Sequence, residues 1–229
     1  MGKGAPLRWI ENSYLKTYLR GRGVEIGGLW RKFKVPSGTK VWYLDRLSAD
    51  DLARHYRELN SRIVAPDNIA DAQTLPVRAL DFIIASHVLE HLPSPLQALK
   101  SWYEALRRGG TLLLKVPDKR FTFDRKRRRT SLQHLIEEFE NPGQIDIRAH
   151  FADWVKNVSG RRPGSEQYER ELRGLMEQDY SIHYHVWIDQ DLEDIIEYTR
   201  SVWHLDWERI VFWSAHFYRK ETVVVLRKG

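Results

Sequence analysis

Residues 80–93 read LDFIIASHVLEHLP, and this stretch decides the fold. It starts with a short apolar run, LDFIIA, which is typical of a strand buried on both faces of a sheet. Polar residues follow directly, at Ser86 and His87. Ser94-Pro95 then combines a helix-capping residue with proline at the first helical position, so we predict that a helix begins there. A buried strand that leads through a polar turn into a helix is typical of a parallel α/β sheet.

The same alternation of strands and helices extends in both directions from this stretch. In chain order, the predicted strands of the parallel sheet cover residues 24–26, 41–44, 63–64, 80–85 and 111–116. The predicted helices around them cover residues 7–20, 49–59 and 95–108. Ser48 is expected to cap the second helix and Gly109-Gly110 to end the third.

The alternation breaks after Pro117. Three polar stretches with helical patterning follow, at residues 131–140, 148–158 and 165–178. Asp189 is then expected to cap a further helix. Residues 207–213 and 222–226 are predicted to be two closing strands, paired antiparallel because no helix separates them.

These elements predict one α/β domain over residues 1–229. Its sheet is expected to be Rossmann-like and mostly parallel, with seven strands of which the last is antiparallel. Residues 118–186 form a helical insertion after the fifth strand. We expect this insertion to act as a lid over the strand ends.

Ligands of an open parallel sheet bind beyond the carboxyl ends of its strands. Gly27 and Gly28 follow the first predicted strand, where glycine lets a ligand approach the backbone closely. Asp45 closes the second strand, 20 residues after Glu25. A carboxylate at that place can accept hydrogen bonds from both hydroxyls of a ribose. The G-x-G-x-x-G sequence of nicotinamide-binding domains is absent.

The ordered series of motifs resembles the class I S-adenosylmethionine-dependent methyltransferases over about residues 20–117. The matching segments are VEIGG at 24–28, YLD at 43–45, ADA at 70–72, DFIIASHVLEHLP at 81–93 and LRRGGTL at 106–112. The chain is also similar to a bacterial subgroup often found with glycosyltransferases and surface-polysaccharide genes. That likeness lies in EIGGL at 25–29, YLDR at 43–46, VPDKRFTFD at 116–124 and HYHVW at 183–187.

The resemblance implies S-adenosyl-L-methionine as the cofactor and assigns roles by position. Asp45 would hold the ribose hydroxyls, Asp71 would accept from the adenine amino group, and the Ala72 amide would lie beside it. Ser86 and His87 would lie under the methyl-transfer centre. The complete set of implied cofactor-binding residues is Glu25, Gly27, Gly28, Leu29, Asp45, Arg46, Asp71, Ala72, Ser86 and His87.

The first loop departs from the family pattern of acid-x-Gly-x-Gly-x-Gly. Leu29 and Arg31 occupy the two later glycine positions. Only 14 residues, 27–40, join the first two strands, so the usual first helix is expected to be short or absent. We expect Arg31 or Arg46 to hold the methionine carboxylate of the cofactor.

Methyl transfer from a sulfonium needs a near-linear approach, and a general base helps when the acceptor is a hydroxyl group. Histidine suits that role at neutral pH. The candidate catalytic residues are His87, His183, His185 and Asp118, while His91 is expected to be satisfied by the backbone. Alternation would place His183 and His185 on one face, where they line the active site or, alternatively, bind a metal. No metal ligands are assigned.

The acceptor is expected to be a saccharide or a similar hydroxylated small molecule, methylated on oxygen. One of Asp118 and Asp124 is expected to face it, unless both form salt bridges with neighbouring arginines. Aromatic faces stack on the C–H faces of sugars, and Trp30, Trp154 and Trp187 are the candidates for such a wall. No Asn- or Asp-Pro-Pro-aromatic run follows the fourth strand, which argues against methylation of base amino groups.

The net charge of +6 comes from one segment. Residues 119–129 contain seven basic residues and one acid, so the rest of the chain is formally neutral. This favours a local grip on an anionic or lipid-linked acceptor over a broad nucleic-acid face. The alternative is that acids such as Glu137, Glu138 and Glu140 neutralise the segment. Two other functions stay open: an RNA methyltransferase that uses the basic segment, and a non-catalytic binding module.

The absence of cysteine excludes disulfides, cysteine-ligated metals and a cysteine nucleophile. No window of 18 consecutive apolar residues occurs, and the first ten residues lack the apolar core of a signal peptide. We therefore expect a cytoplasmic protein without a transmembrane segment.

Overall fold

The computed structural model describes residues 12–56 and 63–229, which form a seven-stranded sheet flanked by helices. The strands are β1 Arg22–Ile26, β2 Lys40–Asp45, β3 Asn68–Ile69, β4 Leu80–Ser86, β5 Leu106–Pro117, β6 Trp207–Trp213 and β7 Glu221–Lys228. Their order across the sheet is β3-β2-β1-β4-β5-β7-β6. Strands β1 to β5 run parallel, whereas β7 lies antiparallel between β5 and β6. The predicted fold class is confirmed.

The helices also follow the predicted pattern in their positions, but Asp189 is the first residue of the last helix instead of its cap, and Ser94 makes no capping hydrogen bond. The helices are α1 Ala49–His55, α2 Pro95–Ala105, α3 Leu132–Glu140, α4 Ile147–Asn157, α5 Glu166–Glu177 and α6 Asp189–Ser201. Ser48 caps α1, as predicted, by accepting a hydrogen bond from the Asp51 amide. Helix α2 ends before the glycines because β5 begins directly at Leu106. None of the helices in the described ranges is long and apolar enough to cross a bilayer.

Two predicted helices reach residues outside the described ranges. The helix predicted at 7–20 begins among them, and its described part includes a 3-10 turn at Lys16–Tyr18. The C-terminal part of the helix predicted at 49–59 also lies outside the described residues. Nothing further follows for these segments.

The prediction of a third strand at 63–64 was wrong. The edge strand is β3, Asn68–Ile69, which pairs with Leu44 and Asp45 of β2. Both residues of β3 are exposed, so the strand forms through its backbone hydrogen bonds and buries no side chain. Strand β3 therefore cannot be predicted from a pattern of apolar residues in the sequence.

The core lies on both faces of the sheet, and β4 contributes to each. Phe82 and Ile84 point to the face that also buries Leu15, whereas Ile83 points to the opposite face, against α2. All of these side chains are fully buried, and each contributes about 1.5–3 kcal/mol through the hydrophobic effect. This two-sided burial is why β4 has a continuous apolar sequence.

The segment after β5 packs helices beside the sheet. Helices α4 and α5 share a small apolar core of their own, which contains Phe151, Val155, Tyr168, Leu172, Ile182 and Tyr184. Residues 178–187 then return toward the carboxyl ends of the strands, where the Tyr184 amide donates to the Glu90 carbonyl at 2.7 Å. The insertion is thereby joined to the loop that follows β4.

We expect Gly23→Ala to lower the free energy of unfolding by about 1–3 kcal/mol or more, because the added methyl group overpacks the β1–β4 contact. A Cβ at Gly23 would overlap the Phe82 ring and lie 2.5 Å from the Phe82 carbonyl oxygen. Urea unfolding measures the effect. Gly143→Ala is the control, since a Cβ there meets nothing within 4 Å. Equal stabilities for the two variants would contradict the close packing of β1 on β4.

Candidate functional site

A cavity of about 270 Å³ opens at the carboxyl ends of β1, β2 and β4. The strand order reverses between β1 and β4, and ligands of open α/β sheets bind at such a switch point. The sequence-predicted residues that line this first cavity are Gly27, Leu29, Asp45, Arg46, Asp71, Ala72 and His87. Glu25, Gly28 and Ser86 do not line it.

The loop between β1 and β2 replaces the usual first helix. Residues 27–39, all of them described, contain no helix, which confirms the prediction from the short connection. Gly27 and Leu29 both have positive φ values, +64° and +38°. A Cβ at Gly27 would lie 2.9 Å from a methyl group of Val88, which also lines the cavity. The loop backbone therefore borders the cavity directly.

Glu25 braces this loop from beneath. The Phe33 amide donates to both carboxylate oxygens of Glu25 at 2.9 Å. Burial raises the pKa of Glu25 to about 7, although the Phe33 amide and the Lys32 charge act in the opposite direction. Glu25 thus holds the loop in shape and makes its contribution to the site indirectly.

Asp45 and Arg46 stand where β2 ends. The Asp45 carboxylate accepts from the Arg46 amide at 2.7 Å, and burial raises its pKa above the usual range. The Arg46 guanidinium pairs with the Asp179 carboxylate and donates to the Asp179 carbonyl at 2.9 Å. Arg46 therefore links the strand end to the insertion, while Arg31 is exposed and outside the cavity lining.

Residues 70–73 form one wall of the cavity. The Asp71 carboxylate accepts from the Gln73 amide at 2.9 Å, and the Ala72 carbonyl accepts from the Trp102 indole at 2.7 Å. The opposite side is closed by the insertion, through Asp179, Tyr180, Ser181 and Tyr184. The cavity is thus bounded by sheet, loop and insertion.

A second cavity, of about 670 Å³, lies beside the first. Its lining includes Phe121, Phe123, Arg125, Lys126, His183 and Lys220. His87 lines both cavities, so it stands where they adjoin.

His87 is held by two carboxylates in a left-handed backbone conformation with φ +57°. Its Nε2 lies 2.7 Å from Glu221 Oε2, and its Nδ1 lies 3.5 Å from Glu90 Oε1. Burial acts to lower the pKa of His87, but the hydrogen bond to Glu221 and the negative charges of Glu221 and Glu90 outweigh it and raise the pKa to about 10. At neutral pH the ring is therefore a cation, and it has no lone pair with which to act as a general base.

His183 makes a different arrangement. Its Nδ1 lies 2.7 Å from Asp124 Oδ2, and its Nε2 lies 4.0 Å from Glu90 Oε1. Burial raises the pKa of Asp124, but the contacts with His183 and Arg127 outweigh it and hold that pKa below the usual range. The ionised Asp124 accepts a hydrogen bond from Nδ1–H, so Nε2 is the ring nitrogen that Asp124 does not contact.

The other predicted catalytic residues lie away from both cavities. Asp118 is buried and binds the Arg120 side chain at 2.6 Å, so the salt-bridge alternative holds for it. His185 is fully buried, and burial lowers its pKa to about 3. The expectation that His183 and His185 share one face of a site was wrong, because residues 181–186 are not a regular strand. His91 lines the first cavity, and its Nδ1 is satisfied by the Ile182 carbonyl at 2.8 Å, as expected.

Glu90 is one of the site residues to which the sequence analysis assigns no role. It is fully buried, and neither of its oxygens has a hydrogen-bond partner among the described residues. Burial raises its pKa, but His87 and the neighbouring histidines outweigh it and lower that pKa below the usual value. Glu90 is part of the LEHLP segment at 89–93, and that segment is the sequence signal that points to it.

The three candidate tryptophans differ in their surroundings. Trp187 is fully buried and stacks on His185, with ring centres 5.8 Å apart, so it forms part of the core. Trp30 is exposed and lines neither cavity. Trp154 contacts the rings of Phe123 and His183 at 5.2 and 5.8 Å, beside the second cavity.

The basic segment 119–129 is partly neutralised within the fold. The ion pairs join Arg120 to Asp118 and Asp189, Arg127 to Asp124 and Asp153, and Arg129 to Asp191. These partners are not the glutamates that the sequence suggested. Arg125 and Lys126 pair with no acid in the described part of the chain, and both line the second cavity.

Comparisons with known proteins identify the class. A protein-family profile described as a methyltransferase domain matches residues 20–196, so the chain belongs to this family. No curated protein matches the chain by sequence.

Three solved structures are similar in fold. The first is a protein from Rhodobacter sphaeroides described as a Zn-dependent alcohol dehydrogenase, with 14% identity and a TM-score of 0.57 over 96% of this chain and 90% of that chain. The second is a SAM-dependent methyltransferase from Methanosarcina mazei, with 15% identity and a TM-score of 0.50 over 94% of this chain and 96% of that chain. The third is a SAM-dependent methyltransferase from Aquifex aeolicus, with 9% identity and a TM-score of 0.50 over all of both chains. At these identities the similarity shows the fold alone. Family and fold together confirm the predicted class I methyltransferase, an enzyme that uses S-adenosyl-L-methionine.

The first cavity suits this cofactor chemically. Asp45 presents a half-buried carboxylate at the end of β2, and Gly27, which lines the cavity, places no side chain in it. Leu29 and Val88 add apolar walls. When bound, the cofactor supplies a methyl group on a positively charged sulfur.

We expect Asp45→Ala to weaken S-adenosylhomocysteine binding about tenfold or more, because a charge-assisted hydrogen bond to the ribose is lost. Thermal unfolding measures this, since a ligand at 100 times its dissociation constant adds about 2.7 kcal/mol of stability. Asp50→Ala, at an exposed position in the first turn of α1, is the matched control. Unchanged binding by Asp45→Ala would refute the role of Asp45.

We expect the stability difference between the wild type and His87→Asn to depend on pH. Because the folded-state pKa of His87 is raised to about 10, its stabilisation is fully present below about pH 6.5 and is lost as the pH rises through 10. His87 is half exposed, so the difference is about 1 kcal/mol or less. Asparagine tolerates the positive φ. Urea unfolding from pH 6 to 10 tests this, and a difference that grew with pH would contradict the ion pair.

Proposed function

We propose that this enzyme transfers the methyl group of S-adenosyl-L-methionine to a hydroxyl of an anionic small molecule, such as a saccharide. The observation that carries the proposal is the His183–Asp124 pair at the wall of the second cavity, which meets the first cavity at His87. The first cavity would hold the cofactor and the second would hold the acceptor.

His183 is proposed to be the general base. Asp124 fixes the ring through Nδ1, so Nε2 is the atom that takes the proton of the acceptor hydroxyl as the O–CH₃ bond forms. Arg127 in turn holds Asp124 at 3.1 Å and donates to the His183 carbonyl at 2.7 Å. Such a chain of contacts keeps the base in one orientation, which oxygen methylation requires.

His87 is proposed to position substrates at the junction of the two cavities. Its cationic ring has two N–H donors, and both are engaged by or directed toward Glu221 and Glu90. It therefore offers a fixed surface beside the reacting atoms and takes no proton itself.

The acceptor class follows from the second cavity. Phe121 and Phe123 provide aromatic surface, and Arg125, Lys126 and Lys220 provide positive charge. Aromatic rings pack against the C–H faces of sugars, and the cations suit a phosphate or carboxylate. A phosphorylated or otherwise anionic saccharide matches both features. Residues 118–186 would close over it as a lid.

We expect His183→Asn to lower kcat by about 10²- to 10⁴-fold and to leave S-adenosylhomocysteine binding unchanged. The asparagine amide can still donate to Asp124, whereas the proton-accepting Nε2 is gone. Transfer of a labelled methyl group from S-adenosylmethionine to a panel of sugar phosphates measures the effect. His204→Asn, at an exposed histidine with positive φ, is the control. Full activity of His183→Asn would exclude His183 as the base.

We expect the double variant Arg125→Gln/Lys126→Gln to raise KM for an anionic acceptor at least about tenfold with little change in kcat, because two cations that contact only the bound acceptor are lost. Arg128→Gln, at an exposed position outside the cavity lining, is the matched control. Equal KM values for both variants would contradict the acceptor assignment. If the enzyme methylated RNA, and if substitutions at Arg125, Lys126 and Arg128 all weakened that activity equally, the basic segment would instead be a nucleic-acid surface.

A further inference from the structure

A cluster of histidines lies in the insertion, outside both cavities. His134 and Glu138 are one turn apart on α3, His150 lies on α4, and His185 lies in the segment before α6. One ring nitrogen of each histidine lies within 4.8 Å of the others. Three elements that are distant in sequence thus present imidazole nitrogens to one point.

The Glu138 carboxylate occupies the middle of the cluster. Its Oε1 lies 2.7 Å from His150 Nε2 and 3.1 Å from His134 Nε2, and its Oε2 lies 3.4 Å from His185 Nε2. The side chains of Glu138 and His185 are buried, whereas His134 is 45% exposed and gives access from solvent. The site is therefore enclosed on one side and open on the other.

Two polar atoms of the cluster have no hydrogen-bond partner in the described part of the chain. They are Glu138 Oε2 and His185 Nδ1, and both are buried. An unpartnered buried polar atom is unfavourable, and almost all such atoms in native proteins find a partner. A bound cation would give the carboxylate oxygen that partner.

The outer contacts of the cluster are of the kind that surrounds metal ligands. His150 Nδ1 donates to the Tyr184 carbonyl at 3.1 Å, and Nε2 donates to the Glu138 carboxylate at 2.7 Å, so a metal would take the Nε2 position as the proton there is released. His185 Nε2 donates to the Pro93 carbonyl at 3.2 Å, so its unpartnered Nδ1 is the ring nitrogen that carries the lone pair. Such backbone contacts fix the orientation and tautomer of metal-binding histidines.

We propose that His134, His150 and His185, together with Glu138, bind a divalent transition-metal ion such as Zn²⁺. Three imidazoles and a carboxylate are a donor set that Zn²⁺ accepts in tetrahedral geometry. Bonds of about 2.0–2.1 Å place tetrahedral ligands roughly 3.4 Å apart. Atoms already within 4.8 Å of one another reach that arrangement by side-chain shifts on the order of 1 Å.

The metal would fasten α3 and α4 to the segment that carries His183 and Tyr184. His183 lines the second cavity and Tyr184 lines the first, and both are within two residues of His185. The site would therefore be structural, holding the insertion in place beside the cavities. This inference does not depend on the acceptor proposed above.

Metal analysis of the chelator-treated and dialysed full-length protein, followed by calorimetric titration with Zn²⁺, tests the proposal. We expect one Zn²⁺ per chain and a rise of several degrees in the melting temperature. His134→Ala and the isosteric Glu138→Gln should each weaken Zn²⁺ binding at least about tenfold, and Co²⁺ should give the visible spectrum of a tetrahedral site that His134→Ala changes. His204→Asn, at an exposed histidine outside the cluster, should bind as the wild type does.

Two results would overturn the proposal. One is the absence of Zn²⁺ binding by the folded wild type, which would make the cluster a hydrogen-bonded brace only. The other is Zn²⁺ binding that survives in His134→Ala and Glu138→Gln but is lost in His183→Asn, because that pattern would place the ion at Glu90, His91 and His183. Circular dichroism of each variant establishes that it is folded.

Discussion

The rest of the site depends on the contacts of the buried Arg127 guanidinium. It pairs with Asp124 and with Asp153 on α4, and it donates to the His183 and Tyr184 carbonyls. All five N–H donors of arginine lie in one plane, so a single buried side chain can hold two carboxylates and two adjacent backbone carbonyls at once. Breaking a buried pair of this kind typically costs about 3–5 kcal/mol, because the remaining charge has no partner. The insertion, His183 and the walls of both cavities therefore meet at one cation.

The two histidines beside the cavities differ in the number and placement of their carboxylate partners. His87 has Glu221 at one nitrogen and Glu90 near the other, so the cationic form is favoured and no lone pair remains. His183 has Asp124 at Nδ1, and its Nε2 lies 4.0 Å from the nearest carboxylate oxygen. Both residues were grouped as candidate bases from sequence because histidine alone does not reveal its partners. The proposed roles, positioning for His87 and proton transfer for His183, rest on these different surroundings.

Local patterns predicted the elements, and long-range contacts decided the roles. Strand β4 and helix α2 could be predicted because burial on both sheet faces and the Ser94-Pro95 start leave marks in consecutive residues. Strand β3 could not, since its two exposed residues are held by backbone pairing alone. Asp118 forms an ion pair with Arg120, and Asp124 forms one with Arg127. The number of charges in the segment does not predict which arginine pairs with which aspartate. His185 contacts Glu138 of α3 and His150 of α4. The spacing of these residues in the sequence does not predict that they meet.

A crystal structure of the full chain with S-adenosylhomocysteine is the most direct measurement. We expect the ribose hydroxyls within hydrogen-bond distance of the Asp45 carboxylate, and the sulfur beside His87 with a clear line into the second cavity toward His183 Nε2. The glycine turn at Gly27 should border the amino-acid part of the ligand. A ligand that bound elsewhere, or one whose sulfur was separated from the second cavity by protein, would contradict the proposed site.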